Sequence, residues 1–200
     1  ILAGLAATPL LVLAAKDGGR YAVPALAIFA ASMILLYGAS TTYHTFNISE
    51  KVNKVLRKID HMMIFILIAG SYTPICVIPL RDTVGIPLLI LVWAVAIARM
   101  LIKAFWVFCP KWVSSVLYIG MGWTCVLAFT QILNALSPAA FGWLLAGGII
   151  YTVGGIIYAL KLPLFNTKHK NFGSHEIFHL FVMGGSACHF ILMYAFILYI

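Results

Sequence analysis

Two histidines one helical turn apart, in the string His175-Glu176-x-x-His179, are the residues of this 200-residue sequence best suited to chemistry. Residues four apart on an α-helix share a face, so both imidazoles can point at one ion. The same spacing recurs at Ser40-x3-His44, and Asp60 follows His44 by sixteen residues. Convergence of His44, His175 and His179 would supply three nitrogen ligands, the number with which catalytic zinc sites keep a fourth position for water. Such a water titrates near ~7 and can act as a nucleophile. Asp60 could accept or orient its proton, and the Ser40 hydroxyl could hydrogen-bond to the water or to a substrate carbonyl. Alternatively, Asp60 pairs with Lys58 or Arg57 at the membrane interface, and Ser40 caps a backbone carbonyl.

The string from His175 to His179 also fits H-E-x-x-H, in which a glutamate is the general base of metalloproteases. No third ligand of the zincin type follows it, so Glu176 is expected to face the membrane interface or to support the site. His189 lies ten residues beyond His179, about 15 Å along a helix, too far to share an ion. It is expected to be a satisfied histidine of a bundle core. His61 adjoins Asp60 but points about 100° away from it on a helix, and His169 sits in a basic connection. None of these three is expected to be a ligand.

The elements that position these residues are read from hydropathy. Hydrophobic residues make up 64% of the chain and charged residues 9%, with a mean hydropathy of +1.06. Soluble domains lie far from this composition. A hydrocarbon core of ~30 Å takes ~20 helical residues to cross. Apolar stretches fall near 1 to 15, 23 to 44, 60 to 80, 85 to 105, 113 to 133, 139 to 160 and 175 to 198. They are continuous rather than alternating, so helices are expected and a barrel is not. The expected fold is an all-α, seven-helix transmembrane bundle forming a single domain over residues 1–200. The sequence opens on Ile1 in mid-stretch, read as a truncated first helix rather than a signal peptide, because no basic region precedes it.

The formal charge of +8 comes without a basic stripe interleaved with aromatics, so nucleic acid is not an expected partner. Topology accounts for it better. One side collects Lys51, Lys54, Arg57, Lys58, Arg99, Lys103, Lys111, Lys161, Lys168 and Lys170, and the other only Lys16, Arg20 and Arg81. Ten against three puts the first side, with the N-terminus and all the candidate ligands, in the cytoplasm and the C-terminus outside. Cys76, Cys109, Cys125 and Cys188 lack CxxC spacing and are expected to be small core residues. Glycines repeat every seven residues at Gly147 and Gly154 and at Gly148 and Gly155, with Gly184-Gly185-Ser186-Ala187 in the last stretch. Small residues of this kind let helix backbones approach in lipid, and Pro74 after Gly70 could kink the third stretch.

Taken together, Ser40-x3-His44, Asp60 and His175-x3-His179 resemble the bacterial hemolysin III proteins and the wider progestin and adiponectin receptor family. The stretch from Tyr43 to Pro74 and the string FGSHEIFHLF carry the likeness most strongly, and it extends over nearly the whole chain. The resemblance implies a seven-helix bundle, N-terminus inside, with zinc near the cytoplasmic face. In the adiponectin receptors the residues matching His44, His175 and His179 ligate zinc, and those matching Ser40 and Asp60 lie beside it. Those receptors carry Gln where this chain has Glu176, so an acid there is not required by the fold. They also have a long cytoplasmic N-terminal region that this sequence does not include, so hormone reception is not carried over, and the family's usual Glu, Asn and His motif entering the first helix would precede Ile1.

Bound water, an acid and a hydroxyl within reach of lipid point to a zinc-dependent hydrolase of a lipid amide or ester. The ceramide hydrolysis linked to the related receptors and to alkaline ceramidases supports that reaction class by analogy. Membrane lipids are then the expected partners, one of them the substrate, with no oligomeric state implied. The alternatives are a membrane regulator, sensor or cytolytic pore in which zinc is structural, and a transporter. No ring of charged side chains marks an ion path, and only the Pro74 region resembles a transporter's broken helix. A bacterial plasma membrane is the expected location.

Overall fold

A backbone in lipid must satisfy its own hydrogen bonds, and a continuous helix does so within each segment. The structure, a computed structural model, describes residues 2–105, 111–160 and 173–200, the side chains of 103–105 and 111 excepted. Lys161, Lys168, Lys170, His169 and Cys109, and the side chains of Lys103 and Lys111, lie outside what it describes. The helices are α1 (Leu2–Asp17), α2 (Ala22–Thr45), α3 (Glu50–Val77), α4 (Ile86–Phe105), α5 (Lys111–Gly122), α6 (Phe129–Ala135), α7 (Pro138–Leu160) and α8 (Ser174–Ala195). Among the described residues, six helical stretches are long and apolar enough to cross a membrane: Ala22–Thr45, Glu50–Val77, Arg81–Ile102, Trp112–Ala135, Pro138–Leu160 and Ser174–Tyr199. Helix α1, at 16 residues, is about 24 Å long and falls short of that length.

The chain divides into two compact units, one of residues 1–107 with 193–200, the other of residues 108–192. In the first, α2 and α3 form a hairpin around a close approach at Gly70. A Cβ there would run into the Ser32 side chain, whose hydroxyl donates to the Phe29 carbonyl at 2.7 Å. This contact sets the register of the pair. Counting equal numbers of residues forward from Ser32 along α2 and back from Gly70 along α3 brings Asp60 to a level between Ser40 and His44. Helix α3 begins ten residues earlier than the apolar stretch near 60 to 80, because its first turns are polar. Ser49 caps it by accepting from the Val52 N–H at 3.3 Å, and Glu50 sits in its first turn, where an acid favours the helix dipole.

Pro74 lies inside α3, and around it Ser71 and Thr73 donate to the Leu67 and Ala69 carbonyls at 2.8 and 2.9 Å. The Thr73 hydroxyl in turn accepts the Trp93 indole N–H at 3.1 Å, tying α3 to α4. Between those helices the chain makes a π-helical turn over Arg81–Gly85, with Thr83 non-helical at φ −120°, ψ −109°. Gly85 is required there, since a Cβ would meet the Cys76 and Leu80 carbonyls. The Arg81 guanidinium lies 4.1 Å above the Tyr21 ring, and Arg20 lies 5.5 Å from it, so cation–π contact joins the α1–α2 and α3–α4 connections.

In the second unit the fifth apolar stretch is not one α-helix. A 3₁₀ segment, Trp123–Ala128, separates α5 from α6. There the Trp123 indole donates to the Thr152 hydroxyl at 2.9 Å, and Thr152 donates back to the Gly148 carbonyl at 2.7 Å. Helices α7 and α8 interlock through the glycines. A Cβ on Gly147 would collide with the His189 ring, its Nε2 at 2.5 Å, and one on Gly185 would meet the Tyr151 ring at 2.8 Å. Each helix thus lays an aromatic ring on a glycine of the other. The Tyr151 hydroxyl pairs with Ser186 at 2.9 Å, and the Tyr151 and His189 rings meet edge to face at 5.3 Å.

His189 is a core residue as expected, its ring packed against the bare backbone of Gly147. Cys76 and Cys188 are buried free thiols, and Cys125 is a half-buried one. Replacing Gly147 with Ala is expected to lower stability by about 1–3 kcal/mol through overpacking. The control is Gly148→Ala, where an added Cβ meets nothing within 4 Å. Thermal unfolding of the detergent-solubilised protein should separate the two variants, and equal midpoints would remove the interlock from the account of α7–α8 packing.

Candidate metal centre

The first unit presents three of the expected residues at one end of the α2–α3 hairpin. Ser40 and His44 stand one turn apart in the last two turns of α2, Ser40 half-buried and His44 exposed. The His44 ring meets Tyr43 edge-on, at 4.7 Å between centroids. Asp60 is buried, 5% exposed, three turns into α3 and level with the other two. Its carboxylate lies 3.7 Å from Nδ1 of His61. That nitrogen is 2.7 Å from the Arg57 carbonyl, and since a carbonyl only accepts, Nδ1 carries the proton. His61 is therefore not remote from Asp60. The 100° between neighbours separates their Cβ directions, but a ring that turns back toward Arg57 comes alongside the carboxylate.

The second unit presents His175 and His179 in the first two turns of α8, both half-buried. Their Nε2 atoms are 3.2 Å apart and their rings 4.6 Å apart, edge to face. Two nitrogens each ~2.0–2.1 Å from a zinc ion in tetrahedral geometry lie roughly 3.3 Å apart. The pair thus has the spacing of two ligands on one ion, as the four-residue interval predicts, and imidazole nitrogens suit zinc.

Glu176 takes no part in that convergence. It is exposed, and its carboxylate accepts the Gly173 N–H at 2.7 Å while the Ile177 N–H donates to the Gly173 carbonyl at 3.2 Å. This is the back-reaching half of a capping box, a task that glutamine performs equally well. The middle of the H-E-x-x-H string is accounted for by starting a helix. A protease base is not needed to explain it.

Two rings that the spacing of polar residues could not reveal complete this half. Tyr158, 5% exposed near the end of α7, lies 5.8 Å from the His175 ring and 4.9 Å from Phe178. Phe178 lies 5.9 Å from His179. A tyrosine in the last turn of an apolar span reads as an interfacial anchor, and Phe178 as one more apolar residue of α8.

An all-helical chain with these spans and two histidines converging near a helix start belongs to a recognisable class. It is an integral membrane protein of helical-bundle type with a possible histidine metal centre. Residues 1–190 match the family model described as Haemolysin-III related, and the chain belongs to that family. It is 39% identical over 181 residues to a Hemolysin-3 homolog of Bacillus subtilis, covering 90% of this chain and 81% of that one. It is 40% identical to Hemolysin-3 of Bacillus cereus, covering 90% and 78%. A more distant likeness is to the Adiponectin receptor protein of Drosophila melanogaster, 26% identical over 78% of this chain and 39% of the receptor.

Proposed function

We propose that this protein is a zinc-dependent hydrolase of a lipid amide or ester, working at the cytoplasmic end of a seven-helix bundle in a bacterial plasma membrane. The observation that carries the reading is the 3.2 Å convergence of the His175 and His179 Nε2 atoms. His44, which the sequence groups with this pair, is taken as the third ligand, and three nitrogen ligands are the donor set of an open rather than a closed zinc site. A zinc ion bound there supplies Lewis-acid polarisation of a carbonyl and activation of water near neutral pH. The surplus of lysine and arginine in the connections on the histidines' side supports the cytoplasmic orientation.

The chain's own residues supply the rest of the chemistry. The Asp60 carboxylate takes a proton from the attacking water and returns it to the departing amine or alcohol, so that water and the acyl bond become a carboxylic acid and a free headgroup. The Ser40 hydroxyl donates to the carbonyl oxygen as charge develops on it. His61 packs beside the Asp60 carboxylate at 3.7 Å, its Nδ1–H donated to the Arg57 carbonyl.

The test is turnover of long-chain lipid amides and esters by the full chain reconstituted in vesicles. Hydrolysis is expected with zinc, lost on chelation and restored by adding zinc back. A zinc-loaded protein that cleaves none of these lipids sinks the hydrolase reading. The name Hemolysin-3 carried by the Bacillus cereus relative favours a second reading, a membrane-perturbing protein in which zinc staples helices. That reading expects release of a dye trapped in the same vesicles without lipid turnover.

A further inference from the structure

The rings around the histidine pair form a closed circuit. His175 lies 4.6 Å from His179, His179 5.9 Å from Phe178, Phe178 4.9 Å from Tyr158, and Tyr158 5.8 Å from His175. Three of the four belong to α8, where the helix holds the Cβ atoms but leaves χ2 of an imidazole broad, and the 3.2 Å contact between the two Nε2 atoms ties the imidazoles to each other. Tyr158 is the member that comes from another helix. It is buried, and it faces both His175 and Phe178.

The reason Tyr158 reaches them lies one turn earlier in α7. A Cβ on Gly154 would meet the Phe181 Cβ at 2.5 Å and Phe178 Cδ2 at 3.7 Å, so only glycine lets α8 come this close. Gly155 on the adjoining face of α7 admits Ile119 of α5, its side chain 3.2 Å from where a Cβ would be. Helix α7 is therefore held from two sides at this level. The backbone that carries the Tyr158 ring is placed by this glycine packing.

We propose that Tyr158 is a positioning residue for the metal centre: its ring, backed by Phe178, holds His175 and His179 with both Nε2 atoms converged before any ion arrives. The inference rests on the metal reading above and deepens it. An imidazole pair free to turn would have to be ordered by the ion, at a cost in affinity, whereas a pair already ordered binds without it. Partners that orient metal-bound histidines typically change affinity by about 10- to 100-fold when removed. The ring is the operative part of Tyr158, because the contacts to His175 and Phe178 are ring to ring.

The experiment is a titration of the purified full chain in detergent with Zn2+ against a competing chelator, and with Co2+ as a spectroscopic probe. The variants are Tyr158→Phe, Tyr158→Leu and Phe178→Leu. Tyr158→Phe keeps the ring and is expected to bind like the parent with the same Co2+ absorption bands. Tyr158→Leu is expected to bind about 10- to 100-fold more weakly, at unchanged stoichiometry, with shifted bands. Phe178→Leu should move affinity in the same direction and serves if Tyr158→Leu does not yield folded protein. Parent-like affinity and bands in both leucine variants would overturn the proposal while leaving the metal centre intact. A parent that binds neither ion would overturn the metal reading and this inference together.

Discussion

Alanine at both His175 and His179 is expected to take the purified protein from about one zinc per chain to none, with helix content unchanged. Two of the three proposed nitrogen ligands disappear, and a single imidazole does not hold zinc against detergent buffer. Both side chains sit in the first two turns of α8 and are half-buried, so their removal opens space beside Tyr158 and Phe178 without unpairing a buried charge. The capping bond from the Gly173 N–H to Glu176 is untouched, and α8 should still start where it does. Elemental analysis measures the loss directly. A second reading comes from thermal unfolding, because an ion that binds only the folded state adds about 2.7 kcal/mol at a hundredfold excess over its dissociation constant. Added zinc should raise the midpoint of the parent and leave that of the double variant where it was. Full zinc content in the double variant would move the ion elsewhere, and a parent empty even after reconstitution would remove it.

The helices were legible in the sequence because lipid makes the signal coarse. Among the described residues each apolar stretch falls largely on helix. Helix α3 starts at Glu50 because a serine cap and a polar amphipathic run build helix outside hydrocarbon, where hydropathy is blind. The 3₁₀ segment at Trp123–Ala128 was invisible because WTCVLA is as apolar as its neighbours. Its cause lies in another helix, where Thr152 receives the Trp123 indole. Of the candidate site, the parts fixed by interval along one helix were legible, namely His175 with His179 and Ser40 with His44. The parts fixed by packing between helices were not. Asp60 owes its level to the Gly70–Ser32 contact, His61 approaches it by a turn of its ring, and Tyr158 arrives from α7 by way of Gly154.

Asp60→Asn is expected to separate metal binding from catalysis, with lipid hydrolysis in the vesicle assay falling by about 10²- to 10⁴-fold and zinc content unchanged. Asparagine matches aspartate in shape and can still accept a hydrogen bond, but its amide cannot take a proton from water near neutral pH. The residue is 5% exposed on a helix in a membrane protein, and an ionisable group in such a place is costly enough to mark function by default. The competing role is a structural one, beside the His61 ring 3.7 Å away. The two roles predict different outcomes. If Asp60 only braces His61, the Asn variant keeps most of that contact and most of the activity, and the loss appears instead as a lowered unfolding midpoint. If Asp60 is a ligand of the ion rather than its neighbour, zinc and hydrolysis fall together. Only a carboxylate beside the ion, moving a proton between water and leaving group, loses turnover while the metal stays.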